Sequence, residues 1–384
     1  MSLNDLPDNC LLKILRNVHE AKDLIRLSKV CSRWSDLITP RFKRVKYLRF
    51  VAGKVDYIDG DSLRINHDTD WKDYNLIEFF PNLKIIEVSS YYCIYIRPDI
   101  FIQIISNPNV KGLIGLFSFI RDYNYNLENI EMCVGKFDFD YKRVFRPNQL
   151  KQIRCFDFNM KYLPSFIGYF PNLKRLNIEF DKADQAFYNF CNVLYNGPSL
   201  SSLKILELGS NGFVGKFTGF HFMDFCPSLE SAFISCWAYD IHVDESIKNY
   251  NLRDLVIDNV ESGSFSWPIL KRVLSKFPNL HHLAMRNIDQ LDDSNLEELI
   301  KLLRKLKILD LRGFKKETQK SADLLFKYCV KENRSIAIYY DCENEPVEWP
   351  KLVYYYCGPI CYGFDFMKHC FYKKFSCLPD LIDE

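Results

Sequence analysis

The chain has 384 residues, 48% of them hydrophobic and 26% charged, which excludes a disordered or fibrous polymer and exceeds what one ordinary domain needs. Its 51 basic and 49 acidic residues leave a formal charge of +2, so no general pull toward nucleic acid or anionic lipid is expected. The 14 cysteines stand mostly alone in apolar or strand-like settings, not in a compact spacing framework, which points to free thiols in a reducing, intracellular compartment.

Met1 to Leu15 contains Asp5 and Asp8 and lacks the cationic start and apolar core of a signal peptide. Leu6-Pro7 opens a periodic apolar set, Leu11, Leu12, Ile14, Leu15 and Val18, and Pro7 suits the first turn of a helix because its missing N–H is not needed there. Leu24, Leu27, Val30 and Cys31 form a second set, with Glu20 and Asp23 near the positive end of that helix. Trp34, Leu37 and Ile38 form a third, which Pro40 is expected to stop. Three helices this short bury too little for an independent core, so part of their apolar surface calls for a partner.

The run Leu6-Pro7-Asp8-Asn9-Cys10-Leu11-Leu12-Lys13-Ile14-Leu15 resembles the opening of an F-box, and Asp23 through Trp34, with Val30-Cys31-Ser32-Arg33-Trp34, resembles its second half. The resemblance covers Leu3 to about Phe50. It implies docking to a Skp-type adaptor and, through it, to a cullin–RING ubiquitin ligase. Leu6, Pro7, Leu11, Ile14, Leu15, Leu24, Val30 and Trp34 match the positions carried over as adaptor-facing, with packing of the F-box interior as the other role open to some of them, Trp34 above all. Asn17 and Val18 stand where the family has a more apolar helix end. A free-standing three-helix cap is the competing reading.

From residue 41 onward one phrase returns: a turn, often Pro-Asn, then Leu-x-x-Leu-x-Leu with apolar variants. Clear copies begin at Leu83, Leu173, Leu203, Leu229, Leu252, Leu280 and Leu306, and weaker ones at Val45, Val110, Leu127, Leu150 and Ile336. The spacing is irregular and falls mostly in the mid-twenties, the period of leucine-rich repeats. Each strand sends alternate side chains inward, and stacking buries what one copy cannot. Helices are expected between the strands: one opened by Pro98, one over Ala183 to Leu194, one led by Trp267-Pro268, and one after a Ser294-x-x-Glu297 capping box. The expected fold is therefore α/β: an N-terminal three-helix F-box (1–45), an irregular leucine-rich-repeat horseshoe with parallel strands inside and helices outside (46–340), and an aromatic C-terminal cap over the last repeat (341–384). Another α/β fold on Leu-rich strands is the alternative. The usual Asn closing the phrase is well placed only at Asn211.

On the inner face of such an array, residues between and after the strand leucines point to solvent. They are Glu87, Asn177, Glu179, Glu207, Phe233, Ser235, Asp258, Arg286, Asp310 and Arg312, and this face is the expected docking surface for a target protein. The same residues also fit a plain solvated sheet face. Gly209 to Gly219 is the largest glycine cluster and is expected to project as a recognition loop.

Other motifs point to bland roles. Gly215-Lys216 lacks the first glycine and the metal-binding hydroxyl of a phosphate-cradling loop. Cys357, Cys361, His369, Cys370 and Cys377 are too loosely spaced for tetrahedral zinc and lie among aromatics that suit a cap. Arg41 to Lys46 alternates like a solvated strand face. His281-His282 has no carboxylate at a catalytic spacing, and no nucleophile elbow, zinc-protease motif or dinucleotide fingerprint is present. The uncharged run Leu352 to Phe364 is too short to span a bilayer. The expected role is thus a non-catalytic substrate receptor of a ubiquitin ligase, cytoplasmic or nuclear, with no cofactor, metal, nucleic acid or membrane partner. The alternatives are a repeat scaffold that binds a Skp-type partner without degradation, and an enzyme hidden in the C-terminal segment.

Overall fold

A computed structural model describes residues 3–50, 60–65, 74–88, 98–115, 127–156, 158, 162–180, 194–259, 265–288, 291–313, 319–355 and 360–383. The chain divides into two compact units, Met1–Leu150 and Lys151–Glu384. The expected helix over Ala183 to Leu194 falls almost entirely outside the described residues.

The first unit begins with a short turn of helix at Leu3–Asp5, then α1 (Asp8–Arg16), α2 (Ala21–Ser28) and α3 (Ser32–Arg44). Its strands are β1 (Tyr47–Phe50), β2 (Ser62–Ile65), β3 (Ile85–Val88), β4 (Gly112–Gly115) and β5 (Met132–Gly135). They are parallel, in the order β5-β4-β3-β1-β2, so β2 lies outside β1 and not between β1 and β3. Pro40 does not stop α3, which runs on to Arg44. Arg41 and Phe42 are consequently helical and buried, which corrects the strand-face reading of Arg41 to Lys46; the Arg41 guanidinium donates to the Leu15 carbonyl. The helix opened by Pro98 spans Pro98–Ile105.

The second unit carries β6 (Gln152–Phe156), β7 (Arg175–Phe180), β8 (Ile205–Phe217), β9 (Ser231–Ile241), β10 (Asp254–Asn259), β11 (His282–Arg286), β12 (Ile308–Asp310) and β13 (Ala337–Tyr339). These are parallel and follow one another in chain order. Helices Leu163–Tyr169, Trp267–Ser275, Asp293–Leu302 and Gln319–Lys331 alternate with them. Asp292, not Ser294, caps the third of these: its carboxylate accepts from the Asn295 N–H, while the Asn295 side chain accepts from the Asp292 N–H, so the capping box lies two residues earlier than the sequence suggests. Gly209 to Phe217 is not a loop. It continues β8 and pairs with β9 after a register shift between Gly209 and Phe213. The side chains of 210–214, Asn211 among them, lie outside the described residues.

The repeated phrase has a repeated geometry. Two successive N–H groups at each strand entry take one carbonyl of the previous entry: Lys204 and Ile205 on Lys174, Arg253 and Asp254 on Glu230, His281 and His282 on Arg253, Lys307 and Ile308 on His281. The turn asparagines add a side-chain bond to the element before. In the first unit Asn82 Nδ2 donates to the Lys43 carbonyl at the end of α3 at 2.7 Å, and Asn109 to Pro81 in the preceding turn at 3.0 Å. In the second, Asn251 donates to Pro227 and Asn279 to Tyr250, both at 2.8 Å. Phe80, Phe170 and Phe277, each just before a Pro-Asn pair, are fully buried, as are Leu83, Leu173 and Leu280 just after.

Candidate functional sites at the N-terminal helices and the covered strand face

In the N-terminal helices, α1 has two faces. Leu11 and Leu15, four residues apart, turn inward and are buried with Ala21, Leu24 and Ile25 of α2 and Trp34, Ile38 and Phe42 of α3. Pro7, Cys10 and Ile14 form the opposite stripe and are exposed, Ile14 at 44%. Val30, at the end of α2, is 57% exposed, Leu3 is 54% exposed, and Leu6 is half-buried. The eight residues singled out from the sequence therefore part company. Leu11, Leu15, Leu24 and Trp34 form the interior, while Pro7, Ile14, Val30 and, in part, Leu6 remain on the surface. Leu3 adds to that surface and stands outside the Leu-Pro phrase that carried the sequence reading.

Arg33 fixes this layout. Its Nε donates to Asp8 Oδ1 at 2.8 Å, and its two terminal nitrogens donate to the Asn4 and Leu6 carbonyls at 2.6 Å each. One planar side chain on α3 thus holds the segment leading into α1. The helices are anchored on the first unit's sheet: the Phe42 ring meets Phe79 and Phe80 edge-on at 5.5 and 5.7 Å, and the Arg64 N–H of β2 donates to the His19 carbonyl at 2.8 Å.

The second candidate site is the strand face of the second unit. Register sets its rows: Arg154, Asn177, Glu207 and Phe233 lie side by side, followed by Val256, Ala284 and Asp310. The next row holds Glu179, Gly209, Ser235, Asp258 and Arg286. The expectation that these side chains meet solvent is corrected. Asn177, Glu207, Phe233 and Asp310 are fully buried, and Ser235, Asp258, Arg286 and Arg312 nearly so; Glu179 is half-buried. In the first unit Glu87 is half-buried and pairs with Arg49 at 2.5 Å.

The cover is the chain's own C-terminal segment. Trp349 stands edge-on to Tyr339 of β13 at 5.2 Å, and residues 364–382 lie across the face as far as β6. Arg286 on β11 donates to the Phe371 carbonyl at 2.5 Å and to that of Lys373. Arg175 on β7 donates to the Pro379 and Asp380 carbonyls at 2.6 and 3.0 Å, and Arg154 on β6 to Leu378 at 3.0 Å. Gln152 exchanges two hydrogen bonds with the Ile382 backbone, at 2.7 and 3.1 Å. Beneath these bonds, Phe366, Cys370, Phe371, Phe375, Leu378 and Ile382 pack on Ile205, Phe233, Val256 and Ala284 of the strands. The aromatic segment is thus not a cap confined to the last copy. The available signal was Ile205, Val256 and Ala284: apolar residues at positions that alternation assigns to a face away from the helices.

Much of the charge under this cover is paired. Glu207 accepts from Arg175 Nη2 at 2.7 Å, from Asn177 Nδ2 at 2.8 Å and from the Cys370 thiol at 3.3 Å. Burial pulls the Arg175 guanidinium down, but Glu207 outweighs it and holds it above its ordinary value. Burial pushes the Cys370 thiol well up, so no thiolate is available there. Burial likewise raises Asp258, against the opposing pull of Arg286. Arg312 grips Asp310 through two nitrogens, at 2.9 and 2.8 Å, and reaches Glu345 and the Pro350 carbonyl at 2.6 Å. Among the described residues no group of His, Cys, Asp and Glu could hold a metal ion.

The small N-terminal helical unit thus keeps an uncovered apolar stripe. The family model described as F-box-like matches residues 3–48, so these helices form an F-box-like domain, and F-box domains generally bind Skp-type adaptors. No curated protein matches the chain. The remainder is a mixed α/β arrangement built on parallel strands.

Proposed function

We propose that this protein is the substrate-recognition subunit of a Skp–cullin–F-box ubiquitin ligase, in the cytoplasm or nucleus, with the parallel-strand region acting as leucine-rich repeats that hold a target. The observation that carries the reading is the exposed set Leu3, Pro7, Ile14 and Val30 on the F-box-like domain, apolar surface that a Skp-type adaptor covers. The repeated Leu phrase and its turn-to-turn asparagine bonds support the repeat reading. The chain itself contributes proximity, with the thioester chemistry placed in other subunits.

The test is capture. A Skp-type adaptor should co-purify at one-to-one stoichiometry and be lost on a double Ile14→Asp, Val30→Asp change. A folded chain that captures no such adaptor rejects the reading. Recovery of a cullin and ubiquitin chains on a bound protein then separates the receptor from the second reading, a non-degradative scaffold. That second reading is favoured by the strand face being filled by the chain's own segment.

A further inference from the structure

We propose that the strand face of Gln152–Arg286 is a binding site for a peptide segment, held here by residues Phe364–Asp383 as a resident occupant. Its partners would be segments in which an aromatic residue is followed three positions later by an aliphatic one. The proposal deepens the receptor reading and rests on it.

Three observations separate this face from an ordinary core. First, the occupant is gripped by its main chain: Arg154, Arg175, Arg286 and Gln152 all spend hydrogen bonds on backbone carbonyls of the segment, groups that any peptide offers. Second, the face carries a ring-shaped recess. Gly209 leaves room for the Phe375 ring, since a Cβ there would stand 2.0 Å from it, and Phe233 forms the wall, edge-on at 5.6 Å. Leu378 and Ile382 follow Phe375 on the same cluster, which sets the aromatic-to-aliphatic spacing. Third, the occupant leaves hydrogen-bonding capacity unused. Arg154 Nε, Arg286 Nε and Asn177 Oδ1 are buried without a partner, although the three side chains are at most 4% exposed. Settled cores rarely leave such atoms idle, and a ligand with its own polar side chains could engage them.

A segment tethered in cis acts at an effective concentration in the millimolar range, so a competitor in trans binds only when the tether's anchors are weakened or its own contacts are better. The experiment uses the full chain with its adaptor and a fluorophore-labelled peptide of residues 364–383. A double Phe371→Ala, Phe375→Ala variant should bind this peptide roughly 100-fold more tightly than the wild type does. The same peptide carrying Phe375→Ala should not bind. In the unaltered chain, hydrogen exchange should open 365–383 more readily than Ser231–Cys236 on β9.

A folded double variant that ignores the peptide overturns the proposal. So does exchange in the wild type that opens 365–383 only together with β9, a measurement that still decides the matter if the variant does not fold. Adaptor capture is read in the same samples. Its loss counts against the receptor reading, whereas its retention without peptide binding counts against this proposal alone.

Discussion

Arg175 and Glu207 face each other across neighbouring strands at 2.7 Å, with side chains 1% and 0% exposed. Such a pair is stable because further partners surround it: Glu207 also accepts from Asn177 and Cys370, and Arg175 also donates to the Pro379 and Asp380 carbonyls. Glu207→Ala should therefore cost about 3–5 kcal/mol by stranding the guanidinium. An Arg175→Met, Glu207→Leu double change should recover most of the loss. Urea denaturation of the four chains measures both, and additive losses would contradict the pairing.

Interior and surface positions of the N-terminal helices give opposite mutants. Leu24→Ala empties a fully buried position and should lower stability by about 2–5 kcal/mol. Ile14→Asp and Val30→Asp change exposed positions and should leave the melting temperature within a degree or two of wild type while abolishing adaptor capture. Thermal melts beside pull-downs check this.

Arg33 links α3 to the lead-in of α1 through Asp8 and the Asn4 and Leu6 carbonyls. Its replacement by Ala should loosen residues 3–8 and weaken adaptor binding several-fold with little change in global stability. Arg33→Lys should not rescue it, because an ammonium cannot span the carboxylate and both carbonyls at once. Titration calorimetry with the adaptor distinguishes the two.

His369 is buried and sits with its Nε2 2.5 Å from the Tyr362 carbonyl. Burial lowers its pKa from the ordinary 6.5, against the opposing pull of that carbonyl. The folded chain thus prefers the neutral ring. The stability this contributes is complete above the unfolded pKa of about 6.5 and is lost as pH falls through that value toward the depressed folded one. Protection of residues 365–383, taken relative to the intrinsic exchange rate at each pH, should fall between pH 7 and pH 5, and His369→Gln should flatten that dependence.

Gly209→Ala places a methyl group against the Phe375 ring. It should cost about 1–3 kcal/mol, and Phe375→Leu, which shortens the ring, should make the same change nearly neutral. A double-mutant cycle by denaturation measures the coupling.

Much of this was legible in the sequence. Leu-Pro followed by Val-Cys-x-Arg-Trp marked the N-terminal module, and Leu203-x-x-Leu206-x-Leu208 marked a strand because period-two burial leaves that trace. What the pattern could not carry is which chain segment meets the other face. Gln152 and Ile382 are separated by more than half the sequence, and no local rule pairs them. The same gap explains the N-terminal residues: periodicity identified Leu11, Leu15 and Ile14 as apolar on one helix, but which of them turned inward depended on where α2 and α3 lay. Pro40 misled for a related reason, since proline ends helices on average and here the packing of Phe42 on Phe79 and Phe80 carries α3 past it.

The turn asparagines have one more consequence. The side chains of Asn109, Asn251 and Asn279 each bond backward to the preceding turn and not within their own. Gain or loss of a whole copy within a unit leaves every link intact, because the next asparagine finds an equivalent carbonyl waiting. Loss of a single residue shifts one link and strands the rest of that copy. Lineages carrying this architecture can therefore change length in whole steps while tolerating little in between.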